Sequence, residues 1–425
     1  MRFRKPTFQQ LARRSVERKE FREVRVIQSA VLNNSAHRLP KIAWLSPFPP
    51  QKSGIANYSY WLVKALKTHV DIDLYYDSEP PSAELQSEFD VYPLNDFAER
   101  YATYDQAVYH LGNNRDFHKR IYEFAWDLPG TVVLHDYNLS AFMHDAFYRQ
   151  NYELYRQALP NGSSDEARKG IQALIHRLVP ETHKHPMSHA VVSRSKKVIV
   201  HHRWVKNQFA DNEHIEVIPH FAKLNCKPTS EQIRSLKGKL GIRDAHFVLT
   251  CLGFINPNKL PRLQIEVVKR LLDDGYPVQM IFAGEPAPEV KELVTEVRSG
   301  KYHEHVIFTG YQNEVDYFSS IFASDVIINL RNPSMGEASG TLMHALAAAR
   351  PTIISDTNQY REFPDKVCWK LAHDENQAEV LYAYIVALLS DKKLRAAISG
   401  NSADYVRNVL GWEKITAEWK RIISG

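Results

Sequence analysis

Cysteine is scarce in this chain. The three present (Cys226, Cys251, Cys368) are far apart and make no CxxC or Cys/His zinc spacing. A disulfide framework and a cysteine-based metal site are therefore excluded; Cys251, inside the apolar run Phe247–Leu252, reads as core. Long apolar runs are missing too. No stretch reaches the roughly eighteen residues needed to span a bilayer, and no signal-peptide h-region is present. The expected location is cytoplasmic, at most peripheral on the inner face of a membrane. What remains is ordinary: 44% hydrophobic and 24% charged residues, a balance that argues against wholesale disorder, over 425 residues, enough for two or three domains.

Charge is unevenly spread. Residues 1–40 hold ten Lys/Arg against three Glu, a local balance of +7 against +5 for the whole chain, so everything after the leader is slightly acidic. Phe3, Phe8, Leu11, Val16, Phe21 and Val24 are dispersed through that leader. Basic and apolar residues mixed in this way suit an anionic membrane surface, through residues 1–38, or a solvated extension. No basic stripe or aromatic platform continues into the body, which argues against nucleic acid.

The stretch Arg331–Asp356, RNPSMGEASGTLMHALAAARPTIISD, organises the rest. Strand Val326–Leu330 enters a loop of small, turn-prone residues through Gly336, then Glu337, then an Ala/Leu-rich helix and strand Pro351–Ser355. A βαβ unit keeps its first loop at the carboxyl end of the first strand, where ligands of open α/β sheets sit. The helix start at Ser339, Gly340 and Thr341 offers unpaired N–H groups and the positive end of the helix dipole, an anion site suited to phosphate. Glu337 reads in two ways: an ordinary acid of the first helical turn, or a carboxylate that holds the hydroxyls of a neutral ligand such as a sugar.

This stretch resembles the donor-binding motif of family 4 retaining glycosyltransferases, enzymes of the two-domain GT-B fold. In that motif a Glu is followed, after seven residues, by a second Glu. Glu337 matches the first, the one that approaches the donor sugar. Ala345 stands at the second, which usually faces the nucleotide ribose, so this sequence departs from the pattern there.

The first half opens at Lys41 with a short strand, Ile42–Leu45, then the loop SPFPPQKSG through Gly54, and an amphipathic helix, Ile55–Thr68. It is not a GxGxxG fingerprint or a Walker loop, although Gly54 near a helix start would let backbone N–H groups approach a ligand. PPQKSGIANYS resembles the family loop near the donor phosphates and the acceptor. Strands are expected at Val70–Tyr75, Gln106–His110, Thr131–His135 and Val198–His201. Alternation puts Asp71 and Asp73 on one strand face, read as solvated and not as a metal site. Two strands end in histidine followed by polar residues: His110 with Asn113 and Asn114, and His135 with Asp136. Carboxyl ends of parallel strands face a cleft, so these are candidate acceptor-side residues. VVLHDYNLS resembles the context of the family histidine near the reacting sugar, which implies a catalytic role for His135. Residues 140–190 are helical and polar with an exposed break at Pro160–Glu166.

The second half begins with strand Phe247–Leu252, the loop GFINPNK and a helix from Pro261 to Asp273. A loop containing Gly and Lys at a strand end suits phosphate. The resemblance implies that Gly253, Phe254, Asn258 and Lys259 line the donor diphosphate site, with Phe254 where the family has a first basic residue; Lys52, Arg331 or a base on the acceptor side would then supply the missing charge. Tyr311, at the end of strand Val306–Tyr311, resembles a base contact. Tyr405–Ile423 reads as one amphipathic helix, either packed on its own domain or crossing back to the first as in GT-B enzymes.

The expected architecture is α/β, GT-B: a basic extension 1–40, an acceptor-side Rossmann-like domain 41–220, a nucleotide-sugar domain 221–404 and a terminal helix 405–425. The expected activity is metal-independent, retaining hexosyl transfer from a nucleoside-diphosphate sugar, with GDP-mannose as the guess, to a glycan or lipid-linked glycan of polysaccharide biosynthesis. Glu337, His135 and Lys259 would be catalytic. Gly54, Gly253, Phe254, Asn258, Tyr311, Gly336, Ser339, Gly340 and Thr341 would bind donor; His110, Asn113, Asn114 and Asp136 would lie on the acceptor side. No cofactor or metal is expected. The rivals are a non-catalytic subunit of the same fold, or another enzyme on it such as a sugar-nucleotide epimerase or a phosphorylase.

Overall fold

Thirteen short strands, most of them apolar on both faces, assemble into two parallel sheets in the computed structural model, which describes residues 38–159 and 186–424. The first sheet comprises β1 (Lys41–Leu45), β2 (Asp71–Tyr76), β3 (Asp90–Pro93), β4 (Gln106–Leu111), β5 (Thr131–Leu134), β6 (Lys197–Val200) and β7 (Ile215–Val217), in the order β3-β2-β1-β4-β5-β6-β7. The second comprises β8 (Phe247–Leu252), β9 (Val278–Ala283), β10 (Val306–Phe308), β11 (Val326–Asn329), β12 (Thr352–Ser355) and β13 (Cys368–Leu371), in the order β10-β9-β8-β11-β12-β13. Helices connect successive strands. The whole is α/β, two Rossmann-like halves, as the alternating pattern implies.

Burial explains the strand composition. Every residue of β8, β9 and β11 is buried, because crossover helices cover both faces of a parallel sheet. The core on one side joins Leu249, Met280, Phe282 and Ile328 to Val268 and Leu271 of the helix Pro261–Asp273. In each sheet the order reverses once, between β1 and β4 and between β8 and β11. Such a reversal leaves a crevice at the strands' carboxyl ends, because the connections on either side run to opposite faces. Loops 253–259 and 330–339 emerge at the second reversal.

By contacts the chain divides into two compact units, residues 1–110, 116–132 and 420–425, and residues 111–115 and 133–419. The basic leader, apart from Arg38, and the break at Pro160–Glu166 lie outside the described residues. No helix among the described residues is long and apolar enough to cross a membrane. The single helix expected over 405–423 is two: Lys392–Tyr405 runs into a wide turn, Val406–Leu410, and after Gly411 a new helix spans Trp412–Ser424.

Asp73 corrects the reading of a solvated face. Asp71 is exposed, but Asp73 is fully buried. Its carboxylate accepts from the Tyr104 hydroxyl at 2.6 Å and pairs with Arg100 at 3.2 Å and Lys41 at 3.5 Å. Alternation placed both acids on one face correctly; the segment 94–104 then covers one end of that face. Removing one partner of a buried ion pair leaves the remaining charges uncompensated. Asp73→Ala should therefore cost about 3 kcal/mol, read as a lower urea midpoint, whereas Asp71→Ala should change the midpoint little.

Candidate functional site

Two loops of the second unit meet at its centre. The Asn138 N–H donates to the Met335 carbonyl at 2.8 Å, and the Ala338 N–H donates to the His135 carbonyl at 3.1 Å. The turn after β5 is thereby fastened to the loop after β11. Gly336 makes this approach feasible. Its φ is +69°, and a Cβ there would lie 2.6 Å from Cβ of Tyr137. Only glycine meets both conditions without strain.

Glu337 ties its own loop together. One carboxylate oxygen accepts from the Met335 N–H at 2.7 Å and the Ser334 hydroxyl at 3.1 Å. The other pairs with Arg331 at 3.3 Å and accepts from the Tyr360 hydroxyl at 3.3 Å. The plain first-turn reading is thus incomplete, since the carboxylate bonds the loop before the helix and not the helix. Ser339 caps the helix Gly340–Ala347, its hydroxyl accepting from the Leu342 N–H at 3.3 Å and bonding Thr341 at 3.1 Å. The N–H groups of Gly340 and Thr341 have no acceptor within the helix.

Cations gather below that helix start. Lys259, in the turn Pro257–Lys259, is 4% exposed and its ammonium donates to the Leu252 carbonyl. Gly253, with φ +76°, admits it: a Cβ there would lie 3.2 Å from the Lys259 nitrogen and 2.9 Å from the Thr341 methyl. Burial, helped by the neighbouring Arg331 charge, pulls the Lys259 pKa down to about 7. Its expected phosphate-facing position is therefore an enclosed one. Asn258 holds the same corner, its carbonyl accepting from the Asn332 N–H at 2.8 Å and its amide reaching the Pro333 carbonyl at 3.4 Å.

Acid and imidazole stand opposite. Asp136 accepts from the Asn113 N–H at 2.8 Å, and burial together with the Glu337 charge pushes its pKa up to about 7. His135 is 6% exposed and lies 3.2 Å, Nδ1 to Nε2, from His201. His201 Nδ1 donates to the Ile218 carbonyl at 2.9 Å, and burial lowers its pKa to about 4, so it is neutral with Nε2 as the acceptor nitrogen. His135 then donates from Nδ1 to that nitrogen. His201 thereby orients the His135 ring.

Some expected residues fall elsewhere. His110 is fully buried in the first unit, its ring against Trp44 at 4.9 Å and Tyr58 at 6.0 Å, so it is a core residue and not an acceptor-facing one. Asn113 accepts the Phe142 N–H at 3.0 Å, a structural bond, while Asn114 is exposed. Ala345 lies fully buried among Val248, Leu252 and Ile281, so the position matched to the ribose-facing Glu belongs to the core, where a carboxylate would be unpaired. Phe254 and Tyr311 are exposed rings, 52% and 57%, at the ends of β8 and β10, and Tyr311 is held through its N–H by Glu285 at 3.0 Å. Gly54 begins the helix Gly54–Leu66 with Ser53 as its cap, in the first unit. Sequence reasoning missed His201 and Tyr360; a third strand ending in histidine, VIVHH, was the available signal for the first. Among the described residues no group of three or more His, Cys, Asp or Glu is placed to hold a metal ion.

Residues 232–404 match the family model of glycosyl transferases group 1. The chain shares its fold with the Anabaena protein HepE in complex with UDP and glucose, at 14% identity, TM-score 0.63, covering 91% of this chain and 99% of that one. It is similar to WaaG, a glycosyltransferase involved in lipopolysaccharide biosynthesis, at 15% identity and TM-score 0.59 over 91% and 100%. It is also similar to the sucrose-phosphate synthase of Thermosynechococcus elongatus, at 15% identity and TM-score 0.63 over 90% and 98%. The two Rossmann-like parallel sheets are those of GT-B glycosyltransferases. No curated protein matches the sequence at a significant level.

Two predictions come from this geometry. Gly336→Ala, combining a left-handed φ with a clash, should lower stability by roughly 1–3 kcal/mol, seen as a lower melting temperature. Lys259, whose folded pKa lies below the unfolded value of 10.5, opposes folding below about pH 7, and that opposition fades as pH rises towards 10.5. A phosphate ligand restores its charge, so anion binding should take up a proton near pH 8 and weaken towards pH 9. Calorimetry in buffers of different ionisation enthalpy measures that uptake, and Lys259→Met should abolish it while leaving the free protein at least as stable.

Proposed function

We propose that this chain is a retaining, family 4 type glycosyltransferase that moves a hexose from a nucleoside-diphosphate sugar to a hydroxyl of a glycan or lipid-linked glycan, without a metal. One observation carries the reading: buried Lys259 and part-buried Arg331 stand together below the helix start at Ser339–Thr341, with Glu337 compensating only Arg331. Two cations and a helix N-terminus match a diphosphate, and the match of residues 232–404 to the group 1 model supports this choice.

In this mechanism the bond from the anomeric carbon to the diphosphate oxygen breaks as the acceptor oxygen bonds on the same face, and the acceptor proton leaves with the diphosphate. Charge grows on the leaving oxygen, where Lys259, Arg331 and the helix N–H groups stabilise it. Glu337 exchanges the Arg331 or Tyr360 bond for donor-sugar hydroxyls as Arg331 turns to phosphate. His135 contacts the donor sugar through Nε2, the nitrogen turned away from His201. Phe254 and Tyr311 offer flat faces to the base and sugar, and the basic leader holds the enzyme at an anionic surface.

The resemblance suggests GDP-mannose, whereas HepE is seen with UDP. A thermal-shift panel of GDP, UDP, dTDP and ADP with their sugar conjugates names the donor. One conjugate should raise the melting temperature above the rest, equally in EDTA, and Lys259→Met should lose that shift. A shift that needs magnesium overturns metal independence. No shift with any nucleotide at millimolar concentration points instead to the non-catalytic subunit.

A further inference from the structure

Three neighbouring strands of the second sheet leave it through glycine. Gly253 follows β8, Gly284 follows β9, and Gly310 lies two residues past β10. The first two touch: a Cβ on Gly284 would lie 2.2 Å from the Gly253 carbonyl oxygen. In the order β10-β9-β8-β11 these bare strand ends form a row beside the helix start that follows β11. Neighbouring strands are spaced by about 4.8 Å, so the row runs about 14 Å from the loop after β11 to the loop after β10. An extended nucleoside diphosphate with its phosphates at Lys259 and Ser339–Thr341 therefore brings its base to the far end of the row.

A carboxylate stands at that end. Glu285 follows Gly284, and its Oε2 accepts from the Tyr311 N–H at 3.0 Å. The backbone beneath it is clamped. The Ile255 N–H donates to the Glu285 carbonyl at 2.9 Å, and the Ala287 N–H donates to the Ile255 carbonyl at 2.9 Å, with Pro286 between them. Glu285 is exposed, and among the described residues its Oε1 accepts from no group and no Lys, Arg or His pairs with it. A carboxylate has about four lone-pair sites, so a single bond leaves both oxygens able to accept. Bases differ in what they bring to such a pair of acceptors. Guanine presents two adjacent donors, N1–H and the N2 amino group, in the parallel arrangement by which a guanidinium meets a carboxylate. Adenine and cytosine present one amino donor beside a ring-nitrogen acceptor, so the second oxygen faces a lone pair. Uracil and thymine present one N–H between two carbonyls. A base whose acceptors meet the carboxylate loses their water and gains no bond in return.

We propose that Glu285 is the specificity-determining residue of the donor site and selects a guanine nucleotide. Guanine N1–H and the N2 amino group divide between Oε1 and the unused lone pair of Oε2, while Tyr311 N–H keeps the carboxylate in place. The inference rests on the reading of the Lys259 site as one for a nucleoside diphosphate. It adds to that reading the base, which the cations and the helix start do not distinguish.

Calorimetric titration of the full chain with GDP, IDP, ADP and UDP tests it. GDP should bind at least tenfold tighter than UDP or ADP, and IDP, which lacks the N2 amino group, should fall between GDP and UDP. Glu285→Gln keeps an oxygen for the Tyr311 N–H and turns the other acceptor into a donor. It should weaken GDP at least tenfold, to the level of UDP, with the melting temperature of the free protein retained. Glu285→Ala, a second variant, should bring the four nucleotides to one level. The proposal is overturned if UDP or ADP binds the wild type as tightly as GDP does, or if either folded variant keeps the guanine preference. Binding of all four nucleotides without preference removes this inference alone. Failure of every nucleotide to bind removes it together with the reading on which it rests.

Discussion

Like charges held together out of water are the constraint on which this site depends. Lys259 is buried and Arg331 largely so, and the ion pair to Glu337 balances only one of them. The protein answers by letting Lys259 lose its proton near neutrality, a response open to an ammonium and not to a guanidinium. Arg331 is accordingly the residue given the carboxylate. The surrounding fold is arranged to keep that imbalance: Gly253 removes the side chain that would displace the Lys259 nitrogen, and the turn 257–259 closes over it.

Glu337 shows why a structural and a functional role are not alternatives here. Its four bonds hold the loop, join it to Arg331 and reach Tyr360. Two of those four, to the Arg331 side chain and the Tyr360 hydroxyl, are exchangeable without moving the backbone. The other two, to Met335 N–H and Ser334, fix the loop. A carboxylate so divided keeps the loop in place with one oxygen while the other changes partner. Replacing it therefore disturbs folding and any ligand contact together, whereas Lys259, whose burial opposes folding, separates the two effects.

The fold was legible because its determinants are local and repeated. Apolar runs such as Phe247–Leu252 and the helix from Pro261 to Asp273 lie where pattern places them, since central strands of a parallel sheet are apolar on both faces. Two edge strands escaped. β3 is Asp-Val-Tyr-Pro and β13 is Cys-Trp-Lys-Leu, short segments with the polar residues and proline that edges tolerate. The loops of the site were legible from small residues at strand ends. Their mutual arrangement was not, because the bonds from His135 to Ala338 and from His201 to His135 join residues far apart in sequence. His110 and His135 look alike as strand-ending histidines, yet one faces Trp44 in the core and the other lies beside the Glu337 loop. Only packing distinguishes them.

The same uncompensated charge bears on stability and binding at once. A free protein that holds Lys259 uncharged and buried has accepted a cost in its folded state, and an anion that recharges the lysine removes that cost on arrival. Part of the intrinsic attraction is therefore used to restore a proton, so affinity is lower than two full cations would give, and it depends on pH. A transition state in which negative charge grows on the leaving oxygen draws on the same cations more strongly than the ground state does. The site thus favours the charge that develops over the charge that arrives, which is the direction in which binding energy becomes rate.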